Sequence, residues 1–194
     1  MAEFSHIQDD KAQMVDISGK NDVTREATAA GKIYLRPETL AAIWGGTTVK
    51  GNVLATARVA ATMAVKNTAA MIPMCHPIPI SSVSVDFVNG DKYIEAKVTV
   101  KMTGKTGVEM EALTGVSLAL LTIWDMVKSA EKDKDGQYPV TSITEIRVVE
   151  KKKGNNGHDL ISGKGDFVPF DSDPEYAALK KKRYFVKKHQ LTSE

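Results

Sequence analysis

The sequence predicts an α+β protein in which helices pack on one face of a mainly antiparallel sheet. The first indication is a pair of alternating segments, SVSVDFV and YIEAKVTVKM, joined by the turn residues Asn89, Gly90 and Asp91. Such alternation is typical of strands with one buried and one solvated face. The second indication is the mostly apolar segment 105–128, whose length and composition favour a buried helix.

The elements before this hairpin are bounded by residues that begin or end regular structure. Pro37 suits the first turn of a helix, Asn52 is a good N-cap, and Pro73 ends an alanine-rich helix. The predicted elements are, in order, a loosely structured arm over 1–25, a strand over 27–35, helices over 37–43 and 52–72, and a proline-rich loop over 73–80.

The part of the chain after the long helix contains one more predicted strand, around 142–149. Residues 150–166 are rich in Lys, Gly and Asn, which predicts a loop, and 171–194 predict a short charged helix or a disordered tail. We therefore expect a domain over 1–151 and a basic loop with a C-terminal extension over 152–194.

The composition is that of an ordinary soluble globular protein. The chain has 194 residues, of which 42% are hydrophobic and 26% charged, and its formal charge of +2 is too small to indicate a nucleic-acid partner. No membrane span is expected, because the most apolar run, 116–124, is short. The N-terminus lacks the features of a signal peptide, and the single Cys75 fits a reducing compartment, so a cytoplasmic location is expected.

The long predicted helix carries four charged residues that could perform chemistry: Glu109, Glu111, Asp125 and Lys128. Asp125 and Lys128 are three positions apart and share a face, and Glu111, close to four turns earlier, projects towards the same side. Burying ionisable groups is costly unless they are paired or used. The helix is therefore a candidate for proton transfer, and an ordinary salt bridge between Asp125 and Lys128 is the alternative interpretation.

Two further positions could bind an anion. Lys50 directly precedes a predicted helix N-terminus, where amide groups and the helix dipole favour phosphate, although it could equally be a surface lysine. His76 lies between two prolines and could bind phosphate, transfer a proton or be structural. Adjacent Cys75 and His76 lack further ligands for a metal, and 103–107 lacks the spacing of a Walker phosphate loop.

Four segments, VKGNVLATARVA, IPMCHP, KTGVEMEALT and WDMVK, occur in the order of a known family. Together with MVDIS and TREA they strongly resemble the cyclic pyranopterin monophosphate synthases, the molybdenum cofactor biosynthesis protein C family, over residues 5–151. The resemblance implies a ferredoxin-like fold and homohexamers that are trimers of dimers. It implies conversion of 3′,8-cyclo-7,8-dihydroguanosine 5′-triphosphate to cyclic pyranopterin monophosphate with release of diphosphate.

The resemblance also implies roles for individual residues. Asp125 corresponds to the catalytic acid/base of the family, and Lys128 to the lysine of the same D-M-x-K segment. The substrate-binding residues that it implies are Lys50, Met74, Cys75, His76, Glu109, Met110, Glu111 and Lys151. The assignment of Lys151 is open, because Lys152 and Lys153 follow it directly. No cofactor is expected. Mg²⁺ stays open as an alternative, although the sequence offers no carboxylate pair that we would assign to it.

A ferredoxin-like nucleic-acid-binding module without catalysis is the alternative function. Such a module would need exposed aromatic residues on its strands for base stacking. The polar face of the predicted hairpin offers no aromatic residue and consists of Ser82, Ser84, Asp86, Glu95, Lys97, Thr99 and Lys101. The sequence therefore favours a small-molecule substrate over nucleic acid.

Overall fold

The computed structural model describes residues 7–8, 11–154 and 160–163. A small hairpin of β1 (Ile7–Gln8) and β2 (Lys11–Ala12) precedes the main sheet. The elements that follow are β3 (Val23–Tyr34), α1 (Pro37–Trp44), α2 (Val53–Lys66), α3 (Thr68–Met71), β4 (Ser82–Asn89), β5 (Tyr93–Gly104), α4 (Glu109–Glu131), β6 (Ser142–Gly154) and β7 (Leu160–Gly163).

The main sheet has the strand order β4-β5-β3-β6-β7 among the described residues, and every neighbouring pair is antiparallel. Strand β3 lies between β5 and β6, and the helices connect β3 to β4 and β5 to β6. This is the βαββαβ arrangement of the ferredoxin-like fold. The predicted α+β, ferredoxin-like fold is therefore confirmed.

The core lies between the sheet and α4, which packs on β3, β5 and β6. At Gly31 of β3 a Cβ atom would collide with the side chains of Val116, Leu120 and Ile146, so glycine lets the helix approach closely. Helix α2 packs against α4 through the buried residues Ala57, Ala61 and Ala64. Strand β5 contributes alternating buried residues, which are Ile94, Ala96, Val98, Val100 and Met102.

The opposite face of the sheet carries an aromatic pair that the sequence pattern missed. Tyr93 alternates in phase with Glu95, and its ring centroid lies 5.5 Å from that of Tyr34, its cross-strand partner. The expectation that this face lacks aromatic residues was therefore wrong, because Tyr93 is the first residue of its strand. Lys32 covers the Tyr93 ring, with its Nζ 4.8 Å from the centroid, so the pair is already in contact with a cation.

Two helix boundaries differ from the predictions. Helix α2 ends at Lys66 rather than at 72, because the Asn67 side chain donates a hydrogen bond to the carbonyl of Met63 (2.7 Å) and interrupts the helix before α3. Helix α4 begins at Glu109 rather than at 105, because β5 remains paired with β3 as far as Gly104.

Strand β6 extends to Gly154, beyond its predicted end at 149. Residues 151–153 pair with β3 on one side and with β7 on the other, so the predicted loop over 150–166 was wrong for 150–154 and 160–163. Three consecutive lysines hide the alternation of a strand. The predicted boundary between 151 and 152 falls inside β6, and residues 155–159 and 164–194 lie outside the described residues, so the division into domain and extension stays a prediction.

Helix α4 is, by length and composition alone, apolar enough to cross a membrane. The expectation that no segment meets this criterion was wrong, because a helix that fills a core satisfies the same test. Val116, Leu120 and Ile123 of this helix are fully buried against the sheet. A single helix of this kind is weak evidence for a membrane protein.

Candidate active site

Most of the predicted site residues line a cleft of about 340 Å³ at the N-terminal end of α4. A cleft of this size is suited to a small ligand. Its lining consists of Val15, Ile17, Lys20, Met74, Cys75, His76, Thr106, Gly107, Glu109, Met110 and Glu111. Six of these residues were predicted, namely Met74, Cys75, His76, Glu109, Met110 and Glu111.

The cleft is built by the arm, the proline-rich loop and the first turn of α4, which hydrogen bonds hold together. The guanidinium group of Arg25 donates to the carbonyl oxygens of Gly104 (3.0 Å) and Lys105 (3.2 Å). The Lys105 Nζ in turn donates to the carbonyl oxygen of Ser18 in the arm (2.9 Å). Lys105 therefore fixes the arm beside the cleft.

Glu111 is the most buried acid of the cleft, with 4% of its surface exposed. Burial raises the pKa of this carboxyl, and the negative charge of Glu109 raises it further. Burial also raises the pKa of the neighbouring Cys75 thiol, and the negative charge of Glu111 raises it further. The thiol therefore stays protonated at neutral pH.

Replacing Glu111 with Gln is expected to stabilise the fold by a few degrees in melting temperature at pH 7. The folded-state pKa of Glu111 lies above its ordinary value of 4.5, so the folded form binds the proton more tightly than the unfolded form. Stability then falls as the pH rises from about 4.5 through the folded-state pKa. The stabilisation should therefore vanish near pH 4, as calorimetry of both proteins across this range would measure. An equal difference at both pH values would contradict it.

A second acid of the cleft, Glu109, is paired at the rim. Its carboxylate forms an ion pair with Lys151 Nζ, which β6 directs towards the start of α4. A Cβ atom at Gly107 would collide with the Glu109 carboxylate, so the glycine makes room for it. Lys151 was predicted just after the last strand, and it instead lies within β6, which fixes its position at the cleft.

The remaining predicted residues form a separate group near the other end of α4. Asp125 binds Lys128 Nζ through Oδ1 (2.7 Å) and Lys50 Nζ through Oδ2 (3.2 Å), and Lys50 also donates to the backbone carbonyl of Asp125 (2.8 Å). The hydrogen bonds from Lys128 and then Lys50 lower the pKa of Asp125. The hydrogen bond to Asp125 raises the pKa of Lys128. The group is thus a carboxylate held between two ammonium ions.

This second group is exposed, contrary to the expectation that the helix buries it. The side chains of Asp125 and Lys128 are 58% and 48% exposed. Glu111 and Asp125 are separated by 14 positions, which is about 21 Å along a helix. Helix periodicity predicts that they project towards the same side, but they do not share one site within a single copy of the described chain.

Five residues of the cleft were not among the predicted site residues, namely Val15, Ile17, Lys20, Thr106 and Gly107. Val15 and Ile17 belong to the MVDIS segment, and Thr106 and Gly107 to the KTGVEMEALT segment, so the resemblance contained a signal for four of them. Lys20 follows the MVDIS segment and adds a cation to a cleft that already contains His76.

The chain matches the model of the MoaC family over residues 14–154. It belongs to this family. The match includes both groups of site residues and ends with β6, and it confirms the family that the sequence segments predicted. The roles of the individual residues stay predictions.

Three relatives that carry the name probable cyclic pyranopterin monophosphate synthase align with most of the chain. The relative from Methanoregula boonei is 75% identical over 154 residues, which cover 79% of this chain and 99% of the relative. The relative from Methanosphaerula palustris is 65% identical, and the alignment covers 79% of this chain and 100% of the relative. That from Archaeoglobus fulgidus is 61% identical, with 78% and 97% covered.

Among the described residues, no group of three His, Cys, Asp or Glu side chains is arranged to hold a metal ion. The expectation that the reaction needs no cofactor stays a prediction.

Proposed function

We propose that this chain is a cyclic pyranopterin monophosphate synthase, a lyase of molybdenum cofactor biosynthesis. It converts 3′,8-cyclo-7,8-dihydroguanosine 5′-triphosphate to cyclic pyranopterin monophosphate and releases diphosphate. The observation that carries this proposal is the 75% identity with a probable synthase over 99% of that relative's length. All the residues to which the resemblance assigns a role in the reaction are present in the chain.

The cations of the site fit a triphosphate. Lys20 and His76 line the cleft, and Lys151 lies at its rim. Lys50 is exposed near the other end of α4 and is bound to Asp125. Ammonium groups form charge-assisted hydrogen bonds with phosphate oxygens, and an imidazole N–H can donate to them as well, so these residues are suited to hold the phosphates and stabilise the diphosphate as it leaves.

The group of Lys50, Asp125 and Lys128 supplies the proton transfers. Asp125 is ionised at neutral pH because two lysines lower its pKa, so it can accept a proton. Lys128 is a protonated lysine whose pKa Asp125 raises further, and it can donate a proton. In the closing step a ribose-derived hydroxyl attacks the α-phosphorus, a new P–O bond forms, and the bond to the diphosphate breaks. The carboxylate of Asp125 is suited to take the hydroxyl proton.

The site is shared between two copies of the chain in this proposal. A separation of about 21 Å keeps the cleft and Asp125 apart within one copy. In a single exposed copy, the pKa of Asp125 is lowered and that of Lys128 is raised, so both lie further from pH 7 than usual. Catalytic acids and bases work best with a pKa near the operating pH. A second copy that covers Asp125 with its own cleft would remove water from the pair and bring the acid/base group to the ligand.

Exposed apolar residues on the outer helices support such an assembly. Val59 and Met63 share one face of α2 and are 59% and 60% exposed, and Leu121 of α4 is 52% exposed. Apolar residues on a helix surface are suited to a protein interface. We propose the homohexamer, a trimer of dimers, that the resemblance implies, located in the cytoplasm and acting on a small molecule without a nucleic-acid or membrane partner.

Incubation of the full chain with the cyclised dihydro-GTP intermediate tests the activity. We expect the pterin product in mass spectrometry and an equal amount of diphosphate in an enzyme-coupled assay. Unmodified GTP is the matched control and should give neither, because its purine ring has not been cyclised onto the ribose. The proposal would be wrong if folded, oligomeric protein formed no product from fresh substrate.

A further inference from the structure

Three consecutive lysines of β6 occupy different environments, although the sequence does not distinguish them. Successive side chains of a strand point to opposite faces of the sheet. Lys151 forms its ion pair with Glu109 on the helix-covered side, at the rim of the cleft. Lys152 lies on the other side, with its Nζ 2.7 Å from Glu26 and 3.1 Å from Glu150.

A β-bulge decides which lysine faces the cleft. Thr28 is paired with Glu150 and the next residue, Ala29, with Val148, so Val149 is an extra residue in β6. If β6 continued from Val148 without this bulge, each later residue would move by one position along β3. Lys151 would then lie opposite Glu26 on the open face, and Glu150 would point towards the acids of the cleft.

Two carboxylates favour the observed register over the unbulged one. In the bulged register Lys152 contacts Glu26 and Glu150 together. In the unbulged register the lysine opposite Glu26 would be Lys151, whose neighbour two positions earlier is the uncharged Val149. Glu26 is nearly buried, with a side chain 7% exposed, and its second oxygen binds Lys101 of β5 at 2.7 Å. Both lysines lower the pKa of Glu26, so it is ionised and available for pairing.

We propose that Lys152 is a positioning residue, which acts from the far side of the sheet by holding β6 in the bulged register that turns Lys151 towards the cleft. The proposal rests on the proposed function in so far as Lys151 serves the substrate. Without the amine of Lys152, the bulged register loses two ion pairs, whereas the unbulged register would still place Lys151 opposite Glu26. Lys151 would then leave the cleft.

Kinetic comparison of four full-length variants tests this proposal. Lys151→Gln is expected to lower kcat/KM by roughly tenfold to a hundredfold, the range for losing one hydrogen bond to a charged group. Lys152→Gln should lower it nearly as much, mainly through KM, although its side chain lies on the opposite face. Lys152→Arg should keep most of the activity. The double variant Lys151→Gln/Lys152→Gln should have a kcat/KM no lower than that of Lys151→Gln alone.

Lys101→Gln is the matched control, because it removes an ion pair to the same carboxylate from the other neighbouring strand. It should lower the melting temperature about as much as Lys152→Gln while leaving kcat/KM unchanged. If Lys101→Gln and Lys152→Gln had equal kinetic effects, or if the effects of Lys151→Gln and Lys152→Gln were additive, Lys152 would be merely structural and the proposal would be wrong.

Amine acetylation followed by mass spectrometry gives a measurement that does not depend on turnover. In the wild-type protein Lys152 should react more slowly than Lys151. In Lys152→Gln the acetylation of Lys151 should slow, because Lys151 moves to the nearly buried Glu26. Unchanged Lys151 reactivity would overturn the proposal even if the wild-type protein had no synthase activity. Absence of wild-type activity with the expected acetylation pattern would instead contradict only the proposed function.

Discussion

Asp125→Asn is expected to lower turnover of the cyclised intermediate by about a thousandfold or more, within the range for loss of a general acid or base. An amide has nearly the same shape as the carboxylate, but it neither accepts the proton of the attacking hydroxyl nor forms the ion pair that orients Lys128. Single-turnover mass spectrometry of the pterin product measures the loss. The melting temperature should change little, because ion pairs as exposed as these contribute little to the free energy of unfolding.

Asp91→Asn provides the control for the change of charge. Asp91 is exposed in the turn between β4 and β5, so its substitution alters the net charge equally and should leave turnover unchanged. A folded Asp125→Asn protein that retained activity within about tenfold of the wild type would show that another group transfers the proton, since general acid/base loss costs about 10²–10⁴.

The parts of the cleft that the sequence predicted come from segments whose local chemistry is unusual. The prolines around His76 fix a loop without regular structure, and acids in the first turn of an apolar helix indicate a helix N-terminus. Lys20 could not be found in this way. It lies in an arm without periodicity, and its place in the cleft depends on the contact between Lys105 and Ser18, residues far apart in the chain.

The register of β6 was equally beyond the sequence, for a different reason. Lys151, Lys152 and Lys153 are chemically identical, so only their partners on β3 and α4 distinguish them. The bulge at Val149 reverses the face on which each lysine lies, and neither of the two valines at 148 and 149 marks it in the sequence.

The sequence spacing between Glu111 and Asp125 contained information about Asp125 that the helical periodicity alone does not give. A spacing of 14 residues predicts that Glu111 and Asp125 lie on one side of α4. The same spacing also separates them by about 21 Å along the helix axis. Angle and separation together indicate that one ligand reaches both residues only if a second chain contributes. What covers Asp125 depends on the assembly, which the hydrophobic pattern of one chain leaves open.

Glu111→Gln is expected to lose most of its activity, because it alters the buried acid of the cleft that the resemblance places against the substrate. Mixing this variant with Asp125→Asn is therefore expected to restore activity. Glu111→Gln lacks the buried acid of the cleft but retains Asp125, and Asp125→Asn has the reverse defect. In a two-fold symmetric dimer with shared sites, a mixed pair contains one intact site and one doubly altered site. Random reassociation of equal amounts should then recover about one quarter of wild-type turnover, because half of the dimers are mixed and each has one working site of two.

Co-expression with two different affinity tags, followed by sequential purification on both, isolates the mixed assemblies. The double variant Glu111→Gln/Asp125→Asn mixed with wild-type chains is the matched control. Its mixed pairs have one altered residue at each site and should be inactive, so only the pairs of two wild-type chains, about one quarter, should work. If the cleft and Asp125 of the same chain served one site, the pattern would reverse. The mixture of single variants would then stay inactive, and each mixed pair of the control would keep one working site. The two arrangements therefore change the activities of the two mixtures in opposite directions. The outcome decides whether the cleft and Asp125, about 21 Å apart along α4, serve one site from two chains or from one chain.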